Sequence, residues 1–243
     1  MRPDSREEHR ATRRSSALIL IAVLMNGCSR LHVGDVELDT RKIELGQARS
    51  VRAEVHIGAG ELHLSGDAKP LLDADFIYNV PQWRPEVSYE VQGEEGKLRV
   101  RQPSVEGFPR GDSKYQWNLR FNNQVPLDLR IELGAGKSTL LLGDLSLTKL
   151  EVETGVGETT IDLNGEWKRD LNAKIEGGIG QLNVHLPSHT AVGVEAEKGI
   201  GSLRVDGLHH DGKLYVNDAF GKSTPTLRVR VEAGIGEIRL ECK

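Results

Sequence analysis

Leu129-Arg130-Ile131-Glu132-Leu133-Gly134-Ala135-Gly136-Lys137-Ser138-Thr139-Leu140 is one statement of a phrase that this chain repeats. From Leu127 to Val205 the phrase recurs around Gly134-Ala135-Gly136, Gly155-Val156-Gly157, Gly178-Ile179-Gly180 and Gly199-Ile200-Gly201, with outlying copies at Gly58-Ala59-Gly60 and Gly234-Ile235-Gly236. Counted from each central residue, the fourth position before is Val55, Ile131, Val152, Ile175, Ala196 or Val231, and the sixth before is Ala53, Leu129, Leu150, Ala173, Val194 or Val229. That alternation is the mark of a strand with one buried face. The central residue continues the phase and is expected to be buried with it. Beyond it the apolar positions fall at plus three and plus five (Leu182 and Val184, Leu203 and Val205, Ile238 and Leu240), so the alternation slips by one residue in every copy.

On a flat sheet a one-residue slip would turn the second half of the strand inside out. Both halves keep their apolar side inward only if the backbone bulges or turns a corner at the slip, and glycine supplies the angles for it. Each copy therefore reads as strand, glycine corner, strand and return loop. Centres of the compact copies lie 21 to 23 residues apart, a solenoid period. The fold class expected is all-β: a solenoid-like stack of bent rungs, similar to a single-stranded β-helix, with a β-rich insert near the N-terminus.

Ahead of the repeats stands an export signal. Arg2, Arg6, Arg10, Arg13 and Arg14 form a basic head, and Ala17 to Met25 is an apolar run too short to span a bilayer comfortably. The run ends Met25-Asn26-Gly27-Cys28, which resembles the lipobox of bacterial lipoproteins, with Met25 and Asn26 where that group prefers Leu and a small residue. The resemblance implies cleavage before Cys28, acylation of Cys28, and a membrane-anchored protein at the cell surface or periplasmic side; Ser29 after the cysteine fits sorting to an outer membrane. The division expected is a signal peptide at 1–27, a lipid-anchored tether at 28–47, the first repeat with an aromatic, proline-rich insert at 48–126, and the repeat solenoid at 127–243. A short strand is expected at Lys42–Leu45 in the tether region, and within the insert strands are expected at Asp75–Asn79, Glu86–Gln92, Lys97–Arg101 and Tyr115–Phe121. The insert is the expected cap for one end of the stack, and the last copy the cap for the other.

Loss of residues 1–27 takes the net charge from −4 to about −6, and no basic stripe accompanies it, which excludes nucleic acid as a partner. Gly134-Ala135-Gly136-Lys137-Ser138-Thr139 is no nucleotide loop, because Ile131 stands where the phosphate loop requires glycine. Only Cys242 accompanies Cys28, in the apolar phase, so it reads as a buried thiol rather than part of a disulfide framework. Three before the centres stands an acidic column, Glu132, Glu153, Glu176, Glu197 and Glu232, broken by His56. Its charges are answered either by neighbours such as Arg130, Lys174 and Arg230 or by bound cations, and the local answer is preferred. Six after the centres, Asp162, His185 and Asp206 are the candidates for a transition-metal column, set against a solvated face of mixed charge, which is the reading adopted. Tyr78, Trp83, Tyr115 and Trp117 either stack on sugar rings or fill a small core.

The first copy, an aromatic insert, Val125-Pro126-Leu127-Asp128-Leu129 and the repeated Gly-hydrophobic-Gly strands together resemble the bacterial toast-rack domains, found in cell-wall-active-antibiotic-response and other envelope proteins. The resemblance covers roughly residues 40–243. The sequence shows no converging cluster of acids, bases or metal ligands, so the expected role is a non-catalytic, cofactor-free interaction or scaffold module with a protein partner in the envelope; the resemblance implies a link to envelope stress or cell-wall maintenance. The alternatives are a carbohydrate-binding or carbohydrate-active solenoid and a self-assembling, adhesin-like surface protein.

Overall fold

The structure, a computed structural model, describes residues 30–109 and 111–243. Before the first rung come β1 (Arg30–Leu31) and β2 (Glu37–Ile43); the first rung itself is β3 (Ser50–Ser65). The insert supplies β4 (Leu72–Tyr78), a short 3₁₀ turn at Pro81–Trp83, β5 (Glu86–Gln92), β6 (Glu95–Arg101), β7 (Phe108–Pro109) and β8 (Tyr115–Phe121). Rungs follow as β9 (Leu127–Leu141), β10 (Leu147–Asp162), β11 (Leu171–Leu186) and β12 (Ala191–Asp206). A hairpin of β13 (His209–Asp211) and β14 (Leu214–Val216) leads to the last copy, β15 (Thr226–Cys242).

Every rung pairs parallel to its neighbours with the glycine corners aligned: Gly60 lies beside Gly136, Gly136 beside Gly157, Gly157 beside Gly180, Gly180 beside Gly236, and Gly236 beside Gly201. The inward residues of both arms, such as Val152 and Ile161 of β10, belong to one core. Among the described residues no helix and no second large sheet lies over that inner face. The two arms of each rung must therefore cover one another, folded about the corner, and the return loops close the open side with Leu142, Leu145, Leu163 and Trp167. Parts 48–126 and 127–243 share this single core.

The strands run through their corners without a break, as continuous elements of 15 to 17 residues. Two different demands fall on the glycine pair, shown by β10. Gly157 sits at φ 141°, where side-chain-bearing residues are strained, and a Cβ there would also enter the carbonyl oxygen of Gly136 on the next rung. Gly155 has an ordinary φ, yet a Cβ would strike Gly134 O. One glycine makes the corner and both allow neighbouring rungs to approach.

Several expectations change here. The centres are not buried: the backbone has already turned by the first glycine, so Val156, Ile179, Ile200 and Ile235 face solvent. At plus three, Ser138 and Thr159 are fully inside, and Ser138 Oγ donates to Thr159 Oγ1 over 3.0 Å, a paired polar contact across two rungs. Much of the presumed tether at 28–47 is structure, because β2 pairs antiparallel with β4 along its whole length. The last copy is no cap. β15 lies between β11 and β12, and the order across the stack is β3-β9-β10-β11-β15-β12. The crossover from β11 to β12 skips one strand position, which β15 then fills. Asn217, buried behind that crossover, ties it down: its Nδ2 donates to Thr190 O (2.7 Å) and Pro187 O (3.2 Å), while its Oδ1 accepts from Val192 N–H (3.1 Å).

The insert does close its end. β6 pairs with the first arm of β3 and β8 with the second, so the covering sheet divides at the corner. Beyond them lie β5 on one side and β4 and β2 on the other. Two alanine substitutions separate the two uses of glycine. Gly157→Ala is expected to lower stability by about 2–4 kcal/mol, whereas Gly93→Ala, at a hairpin turn with φ 64° and open space around it, costs about 1 kcal/mol. Urea melts of the two variants check this; equal midpoints would contradict the close approach.

Candidate interaction surface

The aligned corners produce a surface that no single rung has. The central residue of each Gly-x-Gly has no side chain on either flank, so it stands up from the sheet as a ridge. In order across the stack the ridge reads Ala59, Ala135, Val156, Ile179, Ile235, Ile200, and the side chains grow from the insert end to the β12 end. The four larger members are exposed by 53, 52, 47 and 74 % respectively. At the usual strand spacing of about 4.8 Å they form one continuous aliphatic ladder, exposed where isolated surface apolar residues would need no explanation but a contiguous row does.

Beside the ridge runs the acidic column, in register from His56 through Glu132, Glu153, Glu176 and Glu232 to Glu197. A second outward column two residues away mixes signs: Glu54, Arg130, Glu151, Lys174, Arg230, Glu195. Its two arginines serve carboxylates on their own and adjoining rungs, and Lys174 serves one on its own rung. Arg130 lies 2.7 Å from Glu132 and 3.5 Å from Glu151, Lys174 2.8 Å from Glu176, and Arg230 3.4 Å from Glu197 and 3.7 Å from Glu195. His56 Nδ1 is 2.9 Å from Glu132 Oε2, and this hydrogen bond, with that of Arg130, holds the Glu132 carboxyl below the usual range against the opposing effect of burial. Glu151 is likewise held low, chiefly by Lys149. The column is thus answered by side chains.

Asp162, His185 and Asp206 do share a column, but the inserted β15 puts Glu241 between His185 and Asp206. His185 Nδ1 is 3.5 Å from Glu241, which also pairs with Lys243. Among the described residues no three His, Cys, Asp or Glu are grouped to hold a metal ion. Tyr78, Tyr115 and Trp117 are buried, and Trp83 is half-buried against Tyr115, in an edge-to-face cluster that Phe76 completes. Tyr78, Tyr115 and Trp117 build the insert's core, while Trp83 also lines a cavity with Lys114, Tyr115 and Gln116. Cys242 is buried, its thiol raised by burial. Cys28 lies outside the described residues, and among those described no helix is long and apolar enough to cross a membrane. The ridge escaped sequence reasoning because its residues continue the apolar phase of the arm before them; their flanking glycines were the signal.

A family model for the N-terminal domain of toast_rack, DUF2154, matches residues 32–185. The chain belongs to the toast-rack family. A crystal structure of a proposed cell adhesion protein from Clostridium sporogenes shares 31 % identity with this toast-rack chain, covers 86 % of it and 100 % of itself, and superposes with a TM-score of 0.83. A proposed adhesin from Bacteroides fragilis, at 9 % identity over 87 % of this chain and 99 % of its own, has a TM-score of only 0.25 and bears on nothing further. No curated protein matches the chain.

The charge answer has a pH signature. A carboxyl whose folded pKa is depressed stabilises the fold above its unfolded pKa and loses that contribution as pH falls through the folded value. Glu132→Gln should therefore destabilise slightly at neutral pH, by a few tenths of a kcal/mol since the pair is partly exposed, and the gap should narrow as a lower, second pH takes the carboxyl below the ordinary glutamate range. Urea midpoints of the two proteins at both pH values check it.

Proposed function

We propose that this toast-rack protein is an exported, non-catalytic interaction module that works at the bacterial envelope through its aliphatic ridge. The observation that carries the reading is the ladder Val156, Ile179, Ile235, Ile200, an apolar row kept in solvent and bordered by carboxylates. Rows of this kind mark protein contact sites. A partner that fits would bring an apolar strip flanked by basic side chains, since like charges beside the acidic column would be repelled. The likeness to a proposed cell adhesion protein supports contact as the role. Acylation at Cys28 would hold the module at a membrane, and a contribution to envelope stress or cell-wall maintenance would be exerted through what the ridge holds.

Two experiments test this. A photo-crosslinking residue at Ile179, in cells, should give a discrete adduct with an envelope protein, while the same probe at Glu90 on exposed β5 should not; equal labelling at both sites, or at neither, would refute the ridge. Radioactive palmitate should label the wild-type protein and not Cys28→Ala. Label retained by the variant would remove the anchor from this account.

A further inference from the structure

The two ends of the stack are finished differently. At the β3 end the corner is closed: the N–H groups of Gly58 and Ala59 donate to Gln102 Oε1 over 2.8 and 3.2 Å, with β6 and β8 along the arms. At the β12 end, β14 pairs only with Gly193 and Val194. From Glu195 to Asp206 the only strand beside β12, among the described residues, is β15 on the inner side. Such an edge offers unpaired backbone donors and acceptors to another strand. It contains no proline, and Ile200, the most exposed ridge residue, sits at its middle.

We propose that this edge pairs with the same edge of a second copy, antiparallel, about a two-fold axis at the glycine corner. The inference rests on the interaction-module reading and adds to it a second contact, made by the open edge of the stack with another copy of the chain. A two-fold axis there lays the first arm of one copy along the second arm of the other, so both folded sheets continue through the junction. Side-chain direction then limits the register. Glu195 and Glu197 point outward and Ala196 inward on the first arm; Arg204 points outward and Leu203 and Val205 inward on the second. Two registers keep these faces matched. One sets Glu195 against Arg204 and Ala196 against Leu203; the other sets Glu197 against Arg204 and Ala196 against Val205. Arg204 meets a carboxylate in both, twice by symmetry, and an inward aliphatic that is now half-exposed becomes covered. The second register also places Glu195 against Asp206, which favours the first. Ile200 then lies opposite Gly199 of the second copy in the first register and opposite Gly201 in the second, and with no side chain on those glycines the two Ile200 side chains stand diagonally across the junction, joining two ridges into one.

Sedimentation of the full chain in excess detergent tests the pairing. The wild type should show a concentration-dependent monomer–dimer equilibrium that stops at the dimer. Arg204→Glu should raise the dimer dissociation constant by about tenfold or more, and adding Glu195→Arg should restore it; restoration by Glu197→Arg instead reports the second register. Cooperative melting curves establish that the variants fold; a small drop in midpoint is expected, because Arg204 also pairs with Glu237 of its own chain (2.8 Å) and Glu195 and Glu197 with Arg230 (3.7 and 3.4 Å), all partly exposed pairs. A monomer at every loading, open-ended growth, or a dimer indifferent to Arg204→Glu overturns the proposal. A monomer that still forms the Ile179 adduct with another protein would reject this pairing and leave the module reading in place; a dimer without that adduct would do the reverse.

Discussion

The fold depends on how closely one rung's backbone can lie against the next at the corner. In an ordinary sheet, side chains alternate above and below and strands keep their distance without special residues. Here the strand must reverse its inward face within a few residues, and at that point the Cα atoms of one rung lean onto the carbonyl oxygens of the rung before it. The contact recurs from Gly134 on Gly58 to Gly201 on Gly236, always in the same sense along the stack. A methyl group at any of these positions would meet backbone, which cannot rotate away. Because the corner is tight, both arms look into one interior, and a single sheet makes a core without help from helices.

The same constraint creates the surface. A residue held between two such glycines cannot follow its neighbours inward, so it is displayed. Six rungs in register turn one displayed residue into a row, and the growth from Ala59 to Ile200 along that row gives the stack a polarity. The ends agree with it. Gln102 and the insert's strands satisfy the small-residue end, while the end with the largest aliphatic side chain keeps its backbone bare. Two unrelated features, side-chain size and edge finish, thus point to the same face of the molecule.

Much of this architecture was legible from spacing alone: the repeat, the phase slip and the need for glycine are all local. What stayed hidden is non-local. The copies are so alike that any rung could pair with any other, so chain order could not reveal that β15 enters between β11 and β12. The decisive residues are single ones. Lys198 stands where other copies carry Ile57, Leu133 or Ala233, a cation suited to an edge, and Asn217 fixes a crossover loop by hydrogen bonds that no periodicity encodes. At Glu37–Ile43 charged residues alternate with apolar ones so weakly that only a short strand at Lys42–Leu45 was legible; β2 begins earlier, at Glu37, and ends at Ile43, because pairing with β4 supplies the order. The acidic column was visible, as was its answer in Arg130, Lys174 and Arg230, because parallel registry follows from the repeat.

Amide hydrogen exchange across the corners of β10, β11 and β15 tests the central claim most directly. If the glycine pairs are points of close backbone contact within continuous strands, the amides there exchange as slowly as those of the flanking arms, at rates set by opening of the whole stack. Corner amides that exchange near the rate of an unstructured chain, between two protected arms, would mean that the glycines are flexible joints and that the rungs do not touch there.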